Sequence, residues 1–194
     1  MKIPIFPLNV VLFPNGPLPL RIFETRYIDM VSERMKLDRP FGVLLVQDDF
    51  NVSKASVYKV GTLAKINDFH QGSDGLLGIT ARGGQRFRMI SCDREAKGLN
   101  IAKIELIEEE KSFALPPDLK FLSGILKNIL KELGPLYEGL DRHYDDAVWV
   151  SHRFFEVLPI NLTEKQASLE SSSTTERLKQ IVKLLESFRR SGNQ

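Results

Sequence analysis

The sequence predicts an α+β protein, with a β-rich domain carrying one helix over residues 1–112 and a helical domain over residues 113–194. Three observations carry this. Short apolar runs separated by turn residues recur at strand spacing up to about Ser112. Beyond that point apolar residues recur three and four apart, the period of a helix face. Hydrophobic residues make up 42% and charged residues 27%, proportions that suit a folded core and exclude a disordered chain.

The elements follow in order. Residues 1–20 alternate apolar runs with Pro4, Pro7, Pro14, Pro17 and Pro19. Proline cannot donate to a ladder, so these are short edge strands and turns. A helix is predicted from Glu24 to Leu37, with Tyr27, Ile28, Val31 and Met35 on its apolar stripe and Asp38-Arg39-Pro40 ending it. Phe41 to Gln47 is an uninterrupted apolar run, a strand buried on both faces. Val57 to Phe69 carries the next strand, and residues 72–75 form a turn. Leu76 to Ala81 leads away from it, with a break at Arg82-Gly83-Gly84. Gln85 to Ile90 places Phe87 and Met89 on one face and Arg86 and Arg88 on the other. Residues 99–108 supply a last strand with Ala102, Ile104 and Leu106 on one face. Strands this closely spaced suggest a small, mostly antiparallel barrel or folded sheet.

In the second half, Pro117 suits a first helical turn. Leu119, Leu122, Leu126, Ile129 and Leu133 then keep helical spacing up to Gly134-Pro135. A second helix runs from about Asp145 to Leu158 and stops at Pro159, with Val148, Ser151, Phe155 and Leu158 as its main stripe. Thr163 with Gln166, and Ser173 with Glu176, match capping boxes for two further helices. The last of these buries Leu178, Ile181, Val182, Leu185 and Phe188.

The net charge of +2 does not describe a dedicated nucleic-acid binder, whose domains are strongly basic. Cys92 is the single cysteine, so no internal disulfide forms and a reducing compartment is expected. The first residues resemble a strand rather than a leader, and no run reaches the roughly 20 apolar residues of a membrane span. A soluble cytoplasmic protein with no membrane partner is expected.

Several motifs coincide with those of one family. Phe6-Pro7-Leu8, Val11-Leu12-Phe13-Pro14 and Ile22-Phe23-Glu24 with Arg26-Tyr27 stand in the N-terminal segment. Gly61-Thr62 with Ala64 and Ile66, then Gly84 with Arg86-Phe87, follow. Leu158-Pro159, Lys165-Gln166, Leu169-Glu170 and Arg177-Leu178 keep the order through the helical half. The chain thereby resembles the N-terminal, substrate-binding domain of Lon-type ATP-dependent proteases, over nearly its whole length and in the manner of a stand-alone Lon-domain protein. The resemblance implies a PUA-like β-barrel over 1–112, a helical bundle over 113–194, and recognition of protein substrates. It does not bring the family's ATPase or Ser-Lys peptidase. No Gly-Lys dipeptide occurs, and a Walker A loop needs one to cradle phosphates. The chain closes soon after its last helix, so the expectation is a non-enzyme without cofactor.

The residues themselves leave several readings open. Val11, Leu12, Phe13, Leu18 and Trp149 are candidate exposed members of a peptide-binding surface; the competing reading packs them in the core. Arg21, Glu24 and Arg26 either grip a peptide terminus or, more simply, stabilise the entry of the first helix, with Phe23 and Tyr27 as core anchors. Arg82, Arg86, Arg88, Arg94 and Lys97, with Phe87 interleaved, are the candidate RNA-binding set of an alternative function. Ser56 and Lys59 match S-x-x-K, but the segment reads as strand, which parts the two side chains. Asp141, His143, Asp145 and Asp146 form an acidic cluster that reads as a solvated turn and helix cap before it reads as a metal site. The leading expectation is a recognition module for protein or unfolded peptide segments, working with a separate protease or chaperone, with RNA as the alternative partner.

Overall fold

The structure is a computed structural model that describes residues 1–47, 56–72 and 75–191. Two compact units divide the chain, Met1–Glu109 and Glu110–Gln194. The first holds strands β1 (Lys2–Leu8), β2 (Pro17–Ile22), β3 (Phe41–Leu45), β4 (Val60–Gln71), β5 (Leu77–Arg94) and β6 (Asn100–Leu106), with helix α1 (Thr25–Leu37) between β2 and β3. The second is helical: a 3-10 turn at Pro117–Leu119, then α2 (Phe121–Glu132), α3 (Pro135–Glu138), α4 (Ala147–Val157), α5 (Leu162–Glu170) and α6 (Thr174–Ser191).

In the first unit the hydrogen-bonded order is β2-β5-β4-β3-β1-β6, and β6 pairs again with β5. All pairings are antiparallel except β1 with β3. That parallel pair needs a crossover, which β2 and α1 supply. Every residue of β3 is buried, as an unbroken Phe-Gly-Val-Leu-Leu run requires. The sheet buries two apolar clusters. Phe6, Leu12, Tyr27, Met30, Phe41 and Ile79 belong to one, and Ile3, Ile5, Leu44, Phe87, Ala102 and Ile104 to the other.

Edge strand β2 carries Pro17 and Pro19, which lack the donors a further strand would need. Helix α1 ends where expected. Asp38 adopts the left-handed conformation at φ 49° and its N–H caps the last turn, a role Asp tolerates. The stripe of α1 is Tyr27, Met30 and Val31, with Ile28 left exposed.

The break predicted at 82–84 is absent, and β5 runs unbroken for 18 residues. Gly83 makes this possible. Its N–H donates to the Gly16 carbonyl and its carbonyl accepts from Asn15. A Cβ at Gly83 would collide with the Phe13 carbonyl, so glycine here admits a crossing backbone rather than ending a strand. At the turn predicted over 72–75, the central Ser73 and Asp74 lie outside the described residues.

In the second unit α4 is buried along most of its length, from Ala147 to Phe155, and contacts α2, α5 and α6. The helix α2 buries Leu122, Leu126 and Leu130 but leaves Leu133 exposed at its C-cap. The capping box of α5 is Asn161 with Glu164, not Thr163 with Gln166. Asn161 Oδ1 accepts from the Glu164 N–H at 2.8 Å, and the Glu164 carboxylate accepts from the Asn161 N–H at 3.3 Å. At α6 the Ser173 hydroxyl accepts from the Glu176 N–H, as the pattern predicts.

Candidate functional site

A cleft of about 820 Å³ opens in the first unit where the ends of β1, β2 and β5 meet the start of α1. Its volume lies in the range of ligand sites. Phe6 and Tyr27 stack beneath it, with centroids 3.9 Å apart and planes 14° from parallel. Leu8 and Leu20 extend the apolar wall. Phe23 stands at the rim, 69% exposed. A single exposed aromatic is ordinary, and it is the cleft beside it that makes Phe23 a candidate contact.

The polar side of the cleft is built around one carbonyl. Arg26 Nη1 donates to the Gly98 oxygen at 2.9 Å and Arg94 Nε to the same oxygen at 3.3 Å. Arg26 Nη2 pairs with Glu24 Oε2 at 2.6 Å, and its guanidinium lies 4.8 Å from the Tyr27 ring centre. These contacts hold Arg26 in place, so it shapes the wall. Arg21, Cys92 and Asp93 complete that side. Burial, then the Asp93 carboxylate, push the Cys92 thiol up from its ordinary value. A thiol so shifted is a poor nucleophile at neutral pH.

The sequence places Arg21, Glu24 and Arg26 together, and the structure brings all three to this cleft. Glu24 occupies the cap position of α1 without a side-chain cap bond, its carboxylate being engaged by Arg26. Phe23 departs from its expected core role. Along this segment Ile22 points inward at 1% exposure, and strand alternation turns the next side chain out. That alternation was the signal available in the sequence.

The expected exposed groove residues are in the core instead. Val11, Leu12, Phe13 and Leu18 are all buried. The Thr62 hydroxyl donates to the Leu12 carbonyl at 2.6 Å. With the bonds between Gly83 and residues 15–16, this straps the loop across the sheet and directs its side chains inward. Trp149 is buried too, edge-on to Tyr144 with centroids 5.2 Å apart.

The basic set does not form one face. Arg86 is buried and Phe87 is fully enclosed in the core, so no aromatic platform accompanies the cations. Arg82 is half-buried, and Arg88, Arg94 and Lys97 are exposed. Lys97 pairs with Asp29 at 3.5 Å, and Arg94 turns to the Gly98 carbonyl.

Ser56 precedes a bridge between Val57 and Val46 and Lys59 lies in a bend after it, and the Ser56 hydroxyl donates to Gln47 Oε1 at 2.6 Å. They do not form a helical Ser-Lys pair. Asp146 caps α4, its Oδ1 accepting from the Trp149 N–H at 2.7 Å, and it also accepts from the Ser112 hydroxyl. Among the described residues no group of three or more His, Cys, Asp or Glu side chains is arranged to hold a metal ion.

The second unit contains a buried polar network that sequence reasoning missed. Arg177 Nη2 lies 2.6 Å from Glu110 Oε2, and its other nitrogens donate to the Ser151 hydroxyl and the Ser171 carbonyl. The Thr174 hydroxyl donates to the same carboxylate, and His152 Nε2 lies 3.6 Å from Glu110 Oε1. Burial alone would raise the Glu110 carboxyl. The bonds from His152, Arg177 and Thr174 overcome it and hold the group well below the usual carboxylate range. Burial pushes His152 down to about 4, against the opposing pull of Glu110. The network is closed and inward-facing, a structural bond between the start of the unit and helices α4 and α6.

Comparison with known proteins adds to this geometry. The sequence model of the ATP-dependent protease La (LON) substrate-binding domain matches residues 2–187. Lon protease 1 of Bdellovibrio bacteriovorus is 28% identical over 96% of the chain, and Lon protease of Escherichia coli is 25% identical over the same share. The chain spans about a quarter of the length of these relatives, 25% in each case. A crystal structure of a Lon N-terminal domain protein from Xanthomonas campestris superposes with a TM-score of 0.77 at 30% identity, covering 94% of this chain and 97% of that one. The N-terminal domain of Mycobacterium avium complex Lon protease shares the fold at a TM-score of 0.64 and 15% identity, over 95% and 97% of the two chains.

Proposed function

Since the chain belongs to the ATP-dependent protease La (LON) substrate-binding domain family, we propose that it is a protein- and peptide-recognition module that catalyses nothing itself. The observation that carries this is Phe23, exposed at the mouth of an apolar cleft of about 820 Å³. An unfolded segment offers apolar side chains of matching kind, and their burial beside Phe23, Leu8 and Leu20 supplies the affinity. The 194 residues contain no Gly-Lys dipeptide, so they hold no Walker A loop for ATP hydrolysis. We place the module in the cytoplasm, handing clients to a separate protease or chaperone. We also read the return of β6 to β5 as a PUA-like barrel, and residues 1–112 and 113–194 as two domains.

The test is fluorescence anisotropy of the full chain with a labelled, uncharged Leu- and Phe-rich dodecapeptide. Saturable binding that weakens at least tenfold in Phe23→Ser is expected, with the melting temperature unchanged because Phe23 is exposed. Charge reversal at Arg88 and Lys97 should leave that affinity within twofold. Equal binding by wild type and Phe23→Ser would remove the cleft from the reading. Binding of single-stranded RNA in place of peptide, falling steeply with salt, would replace the reading altogether.

A further inference from the structure

The second unit has a concavity of its own, about 330 Å³, floored by Leu130 and lined by Lys127, Lys131, Arg142, Tyr144 and Glu138. Three cations therefore face one carboxylate. Among the described residues no carboxylate forms an ion pair with Lys127, Lys131 or Arg142. By contrast, the buried arginines of the same unit each have a carboxylate, Arg153 with Glu156 and Arg177 with Glu110. A concavity in which cations outnumber carboxylates carries a net positive field and gathers counter-ions. The Lys127 ammonium lies 5.0 Å from the centre of the Tyr144 ring, a contact that orients it without neutralising it.

From this we infer that the pocket binds an acidic segment in extended conformation, reading carboxylates at alternate positions. The spacing of the two lysines suits an extended peptide. Lys127 and Lys131 are four residues apart on α2, hence about 6 Å along its axis. Side chains on one face of an extended chain repeat every two residues, about 6.6 Å. Alternate Asp or Glu residues thus meet both lysines in turn, and Arg142 offers its fork to a third. The inference rests on the recognition reading above but uses a separate surface, within the second unit.

Isothermal titration of the full chain with two synthetic peptides of equal composition tests this, one alternating Asp with Ser and one carrying the Asp residues in a block. Inorganic tripolyphosphate serves as a third probe. The alternating peptide should bind at least fivefold more tightly than the block. Its affinity should fall tenfold or more in Lys127→Glu with Lys131→Glu and stay within twofold in Phe23→Ser. Both lysines are exposed, and an unchanged circular-dichroism melt verifies that the double variant folds. Arg142→Gln provides an independent loss. No binding of the alternating peptide, equal binding of the block, or binding indifferent to the lysine reversals would overturn the inference. So would tripolyphosphate binding tighter than either peptide. Failure of the uncharged dodecapeptide alone would count against the cleft of the first unit and leave this pocket standing.

Discussion

Glu110 shows how much one carboxylate can hold together. Its side chain is 8% exposed and receives Arg177, itself 1% exposed, together with Thr174 and His152. Replacing Glu110 by Gln keeps the shape and removes the charge, leaving the Arg177 guanidinium buried without its counter-ion. Breaking a buried pair in this way costs about 3–5 kcal/mol. The loss should be read as a lower urea midpoint followed through Trp149, the only tryptophan and a buried one. Removing both partners, with Met at 110 and 177, should cost less than Glu110→Gln alone, because no charge is then stranded. A double variant less stable than the single would mean that the hydrogen bonds, and not the stranded charge, dominate.

At the level of the element, the two glycines in the middle of β5 make opposite demands. A Cβ on Gly83 would run into the Phe13 carbonyl, whereas one on Gly84 would meet its nearest atoms, both of Leu63, at 3.6 and 3.8 Å. Gly83→Ala should therefore destabilise by about 1–3 kcal/mol, the usual cost of overpacking. Gly84→Ala should lie within about 0.5 kcal/mol of wild type, and chemical denaturation followed by far-ultraviolet circular dichroism compares them. The same pair explains an error of sequence reading. A Gly-Gly dipeptide is a turn signal by itself, and only the loop crossing at Asn15 and Gly16 turns it into strand. Elements with strong local signals were legible, among them α1 with its Asp38-Arg39-Pro40 stop and the fully apolar β3. The α5 cap was offset by two residues because Asn161 with Glu164 and Thr163 with Gln166 both fit the spacing, and backbone geometry chooses between them. Of the cleft, the residues 21–26 are legible as a group, while the outward turn of Phe23 shows only in the strand alternation after Ile22. Lys127, Lys131 and Arg142 are not legible as a group, since their convergence depends on how the loop after α3 returns to α2. Glu110 read as one more charge in an acidic linker, because its partners lie 42 to 67 residues away.

For the molecule as a whole, this partition of polar groups predicts which unit yields first to acid. The core of the first unit is built from the two apolar clusters around Phe41 and Phe87, and Thr62 and Arg86 are its buried polar residues. The second unit carries the buried titratable network. His152 is neutral when folded, held down to about 4 by burial, while in the unfolded chain it titrates near the ordinary value of about 6.5. Between those limits the unfolded state binds a proton that the folded state does not, so stability falls as pH drops through that window. Glu110 acts in the same direction at lower pH. Its folded carboxyl stays ionised below the usual range, so the stability it contributes above the unfolded value of about 4.3 is lost on further acidification. Glu156 opposes them in part, since burial pushes its carboxyl up despite Arg153 beside it. A carboxyl raised in the folded state takes up its proton there first and gains stability as pH falls. His152 and Glu110 share one network, whereas Glu156 pairs separately with Arg153, and the expected order rests on that shared network. In a titration from pH 7 to pH 3.5, the Trp149 emission maximum should therefore shift to the red before the β-sheet signal of circular dichroism declines. The wavelength of the maximum and not its intensity is the readout. His152→Phe, which removes the group that must be charged on unfolding, should flatten the slope above pH 4.5 and leave the steeper loss below it in place. Simultaneous loss of both signals at all pH values would mean that the two units unfold as one, and an unaltered slope in His152→Phe would assign the acid sensitivity elsewhere.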